Sequence, residues 1–443
     1  MPESKGPMGK WLRGGKPVLQ SRLFWMTDNY QNGQLKDDYA IAAGASVGYV
    51  SPLYHGLGFG LSGWVQTNIA SSHLEGADPQ TGQLNRYEVG LYDVARPGTR
   101  NFLWRPEELF VYGNISLIPG WKFQGGRFML NTPFLNAQDG RMRGTLVQGF
   151  HTTIPLGRGQ SLSASHISGI SPRSTVKWYS MDQSVGLYPA GRTLKDKPSA
   201  YQGNLPLTSL GIYSWSLRSK KLQVEVWDYL WWDVMNTAFA EGRYNAGNWM
   251  FGLQMTRQDR LFHGGDILPE KRYFEQTSSM VISGRVAYGW KKHLFHMNAT
   301  RIGKQGRFLF PREWGREPFY TFLPRERNEG TADVWAFTAG YQNKGTIKGL
   351  QFSIAGGYYR MPPVTGSPLL NKYTLNDYLQ ANVNFVYKIP GISGLEVQLL
   401  LVAKKNMEDG TLLARYEYNR VNLFQSNLVV NYQFQKQKNK PKK

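Results

Sequence analysis

The sequence predicts an all-β fold, namely a transmembrane antiparallel β-barrel of about 18 strands with short periplasmic turns and long extracellular loops. Three observations predict it. Extended segments of roughly ten residues alternate apolar with polar side chains, as a tilted strand that crosses a bilayer does. Aromatic residues reach 14% and the chain has 49 glycines, which suits aromatic girdles and a polar interior better than a packed soluble core. No run approaches the roughly 18 consecutive apolar residues of a membrane helix.

The alternation is clearest near the C-terminus. In segment 395–404 the residues predicted to face outward are Leu395, Val397, Leu399, Leu401 and Ala403. In segment 425–434 the residues predicted to face inward are Gln425, Asn427, Val429, Asn431 and Gln433. Amide side chains at alternate positions would each need a partner in a dry core. We therefore expect them to face a water-filled lumen.

Taken in order, the chain divides into a polar lead (1–17), the barrel (18–434) and a basic tail (435–443). The first three strands are predicted at 18–27, 39–49 and 57–67. Short turns, such as Ile118-Pro119-Gly120, alternate with long polar segments. The long segments lie near 68–103, 171–206, 259–277, 303–330, 361–376 and 405–419. An even number of strands puts both ends of the barrel on one side, and we expect the basic tail to be disordered.

One predicted hairpin, 121–156, carries a charged loop between its two strands. The loop, near 131–146, contains Arg141 and Arg143 beside Asp139. Folded into the lumen of a barrel, such a loop narrows the pore and places fixed charges there. These three residues are therefore the first candidates for contact with a solute.

Several kinds of site are excluded. The chain has no cysteine, which excludes disulfides, thiolate metal sites and thiol nucleophiles. Segment 58–63 matches GxGxxG, but more strand follows it instead of the helix that a dinucleotide site requires. Segment 44–48 matches GxSxG, but Ser46 lies in mid-strand and not at a strand-to-helix turn. The seven histidines form no metal-ligand motif. We expect no cofactor, no metal, no nucleic-acid partner and no enzymatic activity.

Short matches along the chain resemble the OprD family of outer-membrane porins, which are substrate-selective eighteen-stranded channels of Gram-negative bacteria. The matching residues are Tyr112-Gly113-Asn114, Gly126-Arg127, Thr132-Pro133, Arg141 and Gly149, then Trp227-Asp228-Tyr229 with Asp233 and Tyr244, the Ser21-Arg22 strand and the closing NLFQSNLVVNYQF. The chain differs from the family pattern where a basic tail follows the last aromatic residue, and in loops 259–277 and 303–330.

The resemblance implies passive, substrate-selective diffusion of small water-soluble molecules, often carboxylates or amino acids, past a row of basic lumen residues. When the row is transferred to this chain by strand parity, its expected members are Arg22, Lys122, Arg127, Arg285 and Lys404. The loop adds Asp139, Arg141 and Arg143. A position facing lipid at the midplane would cost Arg285 or Lys404 about 2–4 kcal/mol. The net charge of +21 favours anions, an effect that salt screens.

Basic clusters in other loops are interpreted as solvated or as binding lipopolysaccharide phosphates at the rim. They are Arg257, Arg260, Lys271, Arg272, Arg312, Arg316, Arg325 and Arg327. Two other classes of function stay open. One is a structural or assembly barrel docked to a lipoprotein or secretion complex. The other, less favoured, is an outer-membrane lipolytic enzyme, which would need a Ser–His pair on the lipid face. The expected partners are membrane lipids, lipopolysaccharide and small solutes, while partner subunits or a homotrimer stay open.

Overall fold

The computed structural model describes residues 7–96, 101–137, 140–325, 328–408 and 412–434. Within these ranges, 19 strands form one antiparallel sheet. The strands are β1 Lys16–Tyr30, β2 Asp38–Val50, β3 Leu57–Ser71, β4 Leu103–Ile115, β5 Trp121–Phe128, β6 Leu146–Gly157, β7 Gln160–Ser171, β8 Tyr179–Ser180, β9 Leu210–Arg218, β10 Leu222–Trp231, β11 Met235–Ala246, β12 Trp249–Arg260, β13 Ser278–Trp290, β14 His293–Ile302, β15 Val334–Asn343, β16 Leu350–Arg360, β17 Tyr378–Lys388, β18 Leu395–Asn406 and β19 Leu423–Gln433.

The sheet closes into a barrel because β1 pairs with both β2 and β19. Strand β7 pairs directly with β9, so the short β8 lies beside the wall and 18 strands form the wall itself. Within the described ranges each of the 18 wall strands pairs with a neighbour on both sides, as a hydrocarbon environment requires. The predicted fold class is confirmed, and the first three predicted strands lie within β1, β2 and β3.

All the long connections lie at one end of the barrel, the loop end, which also holds the short connection 232–234, and the other end holds only short turns. The turn end holds connections 51–56, 116–120, 158–159, 219–221, 247–248, 291–292, 344–349 and 389–394. The loop end holds 31–37, 72–102, 129–145, 172–209, 232–234, 261–277, 303–333, 361–377 and 407–422. Because Gln20 pairs with Gln433, the first and last wall strands begin and finish at the turn end, as the even strand number predicted.

A short helix, α1 (Pro7–Arg13), precedes β1 and packs at the turn end. The Trp11 ring lies 5.6 Å from that of Tyr54 and 5.7 Å from that of Phe59, and its indole nitrogen donates to the Pro52 carbonyl. A second helix, α2 (Ala414–Glu417), and the 3-10 helices Glu88–Leu91 and Pro269–Lys271 lie at the loop end. Among the described residues, no helix has the length and apolar character needed to cross a membrane.

The register places the side chains of neighbouring rows on opposite faces of the wall. One row that crosses β18, β19, β1 and β2 consists of Leu399, Leu428, Trp25 and Ile41. The adjacent row consists of Leu400, Asn427, Met26 and Ala40, whose side chains are buried inside the barrel. Trp25 is exposed and the other three outward residues are partly exposed in the isolated chain, which is the pattern expected of a surface that lipid covers.

Loops fill much of the lumen and build two hydrophobic clusters there. The larger cluster packs the apolar residues of loop 303–333 against the inner wall, and its loop members include Phe308, Leu309, Phe310, Trp314, Phe319 and Leu323. The smaller cluster packs loop 72–102 against β1 to β4 and β19, and its loop members include Leu74, Tyr87, Leu91 and Tyr92. Much of the interior is therefore packed like a protein core.

This packing corrects the expectation that the inward amide side chains of segment 425–434 meet water. Gln425 and Asn427 are buried, and Asn427 accepts a hydrogen bond from Arg325 of loop 303–333. Amides of other strands hold the same loop. Gln258 donates to the Leu309 carbonyl at 2.6 Å, and Gln380 and Asn382 both donate to the Pro324 carbonyl. The amides of these other strands are buried because the loop covers them, and each finds a backbone partner there.

Candidate functional site

A cavity of about 510 Å³ lies among the loops at the loop end and is called the vestibule here. Loops 72–102, 172–209, 303–333, 361–377 and 407–422 contribute to its lining. Leu74 and Tyr87 belong to the smaller hydrophobic cluster, whereas Leu375 belongs to the larger one. The vestibule therefore lies where the two clusters meet.

A second cavity of about 80 Å³, the arginine chamber, shares Arg86, Tyr87, Val94, Tyr188, Arg312 and Arg325 with the vestibule. Its lining adds Arg141 and Arg173, which makes five arginines in all. None of the described residues that line it is acidic. This concentration of positive charge in a narrow space is the strongest electrostatic feature of the candidate site.

Loop 129–145 lies inside the barrel because side chains of the inner wall hold its backbone. Arg22 of β1 donates to the Arg141 carbonyl at 2.6 Å, and its Nε donates to Asn431 on β19. Arg105 of β4 donates to the Gly144 carbonyl at 3.1 Å. Loop 129–145 also bonds to loop 303–333, since Thr145 Oγ1 donates to the Glu313 carbonyl. The predicted constriction loop is thus bonded to a second loop that also lies inside the barrel.

Arg143 is fixed by an ion pair. Its Nε and Nη2 donate to the two carboxylate oxygens of Glu107 at 2.5 and 2.6 Å, and Nη1 donates to Gln20. Its guanidinium also stacks on the Trp64 ring at 4.7 Å. A bidentate pair of this kind holds both side chains in place. Arg143 therefore anchors the loop, and Glu107 offsets its charge.

Arg141, Arg173 and Arg325 lack an acidic partner among the described residues. Arg141 is 7% exposed and donates to the Gly140 carbonyl, while Arg325 donates to Gly140 and to Asn427. The Nε atom of each of the three is buried without a hydrogen-bond partner. Burial, reinforced by the charges of Arg325 and Arg173, lowers the pKa of Arg141 well below its usual value. Burial lowers the pKa of Arg325 to about 10.

The other predicted site residues are spread over the barrel. Lys404 lines the vestibule, with Nζ 4.4 Å from the centre of the Tyr378 ring. Arg285 donates to Asn298 at 2.6 Å, and its guanidinium stacks on Tyr320 of loop 303–333. Arg285 does not line the chamber.

Two residues predicted to line the lumen, Lys122 and Arg127, lie away from the constriction. Lys122 is exposed next to the turn at 116–120. Arg127 donates to Gln148 and stacks on Trp178 at 4.7 Å. Strand alternation puts Arg127 on the same face of the wall as Phe123, and the Phe123 ring stacks on the exposed Phe150. Because that face points away from the lumen, Arg127 does not reach the constriction. Asp139 lies outside the described residues.

The rim interpretation of two loop arginines is wrong. Arg312 and Arg325 line the vestibule and the chamber, because the apolar residues of loop 303–333 draw this loop into the barrel. Arg257 and Arg316 are exposed, in agreement with the interpretation, and Arg327 lies outside the described residues. Arg86, Arg173 and Arg420 also line these cavities and were missed. The run FLFPREWGREPFYTFL could have predicted that loop 303–333 folds inward, because a loop so rich in aromatic residues needs burial.

A closed antiparallel barrel with an apolar outer face and loops packed inside belongs to the class of large outer-membrane β-barrels. Its fold matches that of Pseudomonas aeruginosa OccK9 (OpdG), with a TM-score of 0.71 over 96% of this chain and 99% of that one at 14% identity. P. aeruginosa OpdK, solved with vanillate, gives a TM-score of 0.68 over 96% and 99% of the two chains at 16% identity. Acinetobacter baumannii OccAB3 gives 0.69 over 95% and 99% at 12% identity.

Neither a protein-family model nor a curated relative matches the sequence. The matched structures are porins of the OprD/Occ family. The resemblance to OprD porins is thus confirmed at the level of the fold.

Proposed function

We propose that this protein is a passive, substrate-selective channel of the outer membrane that prefers small anionic solutes of the carboxylate or amino-acid type. The observation that carries the proposal is the arginine chamber, which has five arginines and no acidic residue among its described lining. A guanidinium binds a carboxylate through two parallel hydrogen bonds. The solved complex of OpdK with vanillate, an aromatic carboxylate, supports this choice of solute class.

The proposed mechanism has no chemical step. A solute enters the vestibule, where Lys404, Arg420 and Tyr373 line the wall, and passes to the arginine chamber. It then leaves toward the turn end. Binding along this route must be weak and shared among several sites, because a single tight site would retain the solute.

The first prediction concerns ion selectivity. Purified protein in planar bilayers is expected to conduct and to prefer anions at low salt, and the Arg173→Gln variant is expected to lose much of this preference, because it removes a buried guanidinium from the narrow chamber. The measurement is the reversal potential under a salt gradient. Arg257→Gln is the matched control, since Arg257 is exposed on β12 and paired with Asp259. Cation preference of the unmodified channel would contradict the proposal.

The lipolytic alternative has one structural feature that warrants a test. His151 Nδ1 lies 2.9 Å from Ser165 Oγ, but His151 Nε2 faces Thr153 where a catalytic triad would place a carboxylate. Ser165 also faces the lumen, not lipid, because it shares its strand face with the buried Ile167. An esterase assay on the intact barrel separates the two functions, and conductance separates a channel from an assembly barrel.

A further inference from the structure

The arginine chamber contains several buried donors that have no hydrogen-bond partner. Arg141 Nε, Arg173 Nε, Arg325 Nε and Ser174 Oγ are all buried without a hydrogen-bond partner, and all four residues line this one cavity. They come from three different loops, so the convergence is a property of the tertiary structure. Buried donors in a folded protein are normally satisfied, which indicates that a ligand with several acceptor atoms completes the site.

The size and charge of the chamber narrow the choice of ligand. Its volume of about 80 Å³ leaves room for one headgroup, and three of its guanidiniums have no acidic partner among the described residues. A carboxylate brings two oxygens and one negative charge. A phosphate monoester brings three terminal oxygens and a charge near −2 at neutral pH, since its second pKa is about 6. The doubly charged tetrahedral group therefore matches the excess of positive charge better than a carboxylate does.

The vestibule can hold the rest of such a solute. The vestibule adjoins the chamber, since Tyr87 and Tyr188 line both cavities. Apolar side chains such as Leu74, Leu187 and Pro189 line part of the vestibule. Its volume of about 510 Å³ is in the range of small-molecule sites. An organic group attached to the headgroup can lie there.

We propose that the arginine chamber is a subsite for a tetrahedral oxoanion and that the preferred solutes are small organic phosphates or phosphonates. This inference rests on the proposed anion channel and specifies its solute class. The headgroup is held by Arg141, Arg173, Arg325 and Ser174, and the organic part occupies the vestibule.

Gly90 gives a sharp test that changes no charge. A β-carbon at Gly90 would lie 2.6 Å from Arg141 Nε and 3.3 Å from Ser174 Oγ, which is too close for Arg141, so the guanidinium would have to move and the donors that hold the headgroup would be rearranged. Gly90 belongs to the 3-10 helix Glu88–Leu91, and alanine is compatible with helical backbone. Ser174→Ala is the second variant and removes a single donor without filling the chamber.

The experiment compares phenyl phosphate with benzoate, which share a ring and differ in headgroup, as blockers of chloride current in planar bilayers at pH 8. Phenyl phosphate is expected to reach half-block at a concentration at least about tenfold lower, a difference of one decade in affinity. Inorganic phosphate is included to separate recognition of the headgroup from recognition of the whole ester. Gly90→Ala and Ser174→Ala are expected to reduce the advantage of phenyl phosphate, and Arg257→Gln is expected to retain it.

The outcomes separate this inference from the proposed function. Equal half-blocking concentrations for the two aromatic anions in an anion-selective channel would overturn the inference and leave the channel assignment standing. An advantage of phenyl phosphate that survives both Gly90→Ala and Ser174→Ala would place the phosphate site elsewhere and also overturn it. A cation-selective channel would overturn the proposed function itself. Folding of each variant is checked by the heat-dependent shift in gel mobility of the barrel.

Discussion

At the scale of single residues, the partner of each arginine decides what that arginine does. Arg143 is neutralised by Glu107, and Arg22 holds the backbone of the neighbouring loop. Arg141 and Arg173 have no acidic partner among the described residues and so contribute net charge to the chamber. The sequence placed Arg141 and Arg143 in the same role, because spacing alone does not reveal the carboxylate from a distant strand that pairs with one of them.

The Arg143–Glu107 pair yields a prediction about stability. Removal of one partner leaves the other charge buried, which typically costs about 3–5 kcal/mol. Arg143→Gln and Glu107→Gln are each expected to lower the free energy of unfolding and to increase current noise through movement of loop 129–145. The double variant is expected to lose less than the sum of the single losses. The measurement is a double-mutant cycle from urea titrations in lipid vesicles, and additive losses would show that the pair is not coupled.

At the scale of elements, the loops behave as parts of a core. Loop 303–333 places Phe308, Leu309 and Trp314 in the larger cluster with no exposed surface. Full burial of one such side chain contributes about 1.5–3 kcal/mol. Trp231 on β10 completes this packing, with its ring 4.7 Å from that of Trp314. The loops can therefore hold charged groups at fixed positions in the lumen.

Loop 72–102 gives a prediction about pH. Burial, together with the nearby charge of Asp38, raises the pKa of Glu88, whose carboxylate accepts from Asn85 at 2.7 Å and faces Asp28 on β1. A raised pKa in the docked loop means that docking is strongest below the ordinary carboxyl pKa and weakens as pH rises through the raised value. We expect faster proteolysis of this loop at about pH 8 than at about pH 5.

The control for this experiment is a pair of variants in the same loop. Glu88→Gln is expected to weaken the pH dependence, because the buried carboxyl of Asp28 remains next to position 88, whereas Glu75→Gln, at an exposed position, is expected to keep it. Comparison with the unmodified protein at each pH cancels the pH profile of the protease. Identical pH profiles for Glu88→Gln and the unmodified protein would exclude Glu88 as the titrating group.

At the scale of the whole molecule, the barrel wall meets two different environments. Its outer face is apolar and its inner face holds polar anchors and packed loops. The two hydrophobic clusters occupy separate parts of the lumen and leave the vestibule and the arginine chamber between them. The shape of these two cavities thus results from the way the clusters divide the interior.

Neighbouring residues of β18 test this arrangement directly. Leu399 faces outward and Gln398 faces inward, where it donates to Asn384. Leu399→Arg is expected to destabilise the barrel by up to about 2–4 kcal/mol, the cost of arginine facing lipid near the midplane, and Gln398→Arg by much less. Free energies of unfolding in lipid vesicles provide the measurement. Equal losses for the two variants would contradict the assignment of the faces.

The sequence by itself determined the strands, their approximate number, the faces of β1, β18 and β19, and the division into short turns and long loops. These features depend on a two-residue period and on local turn chemistry, which neighbours in the chain specify. Only the tertiary structure decided that Arg141, Arg173 and Arg325 meet in one chamber while Arg143 is paired with Glu107. That convergence depends on contacts between loops far apart in the chain, which form only once the wall has closed and the apolar loop residues have packed inside it.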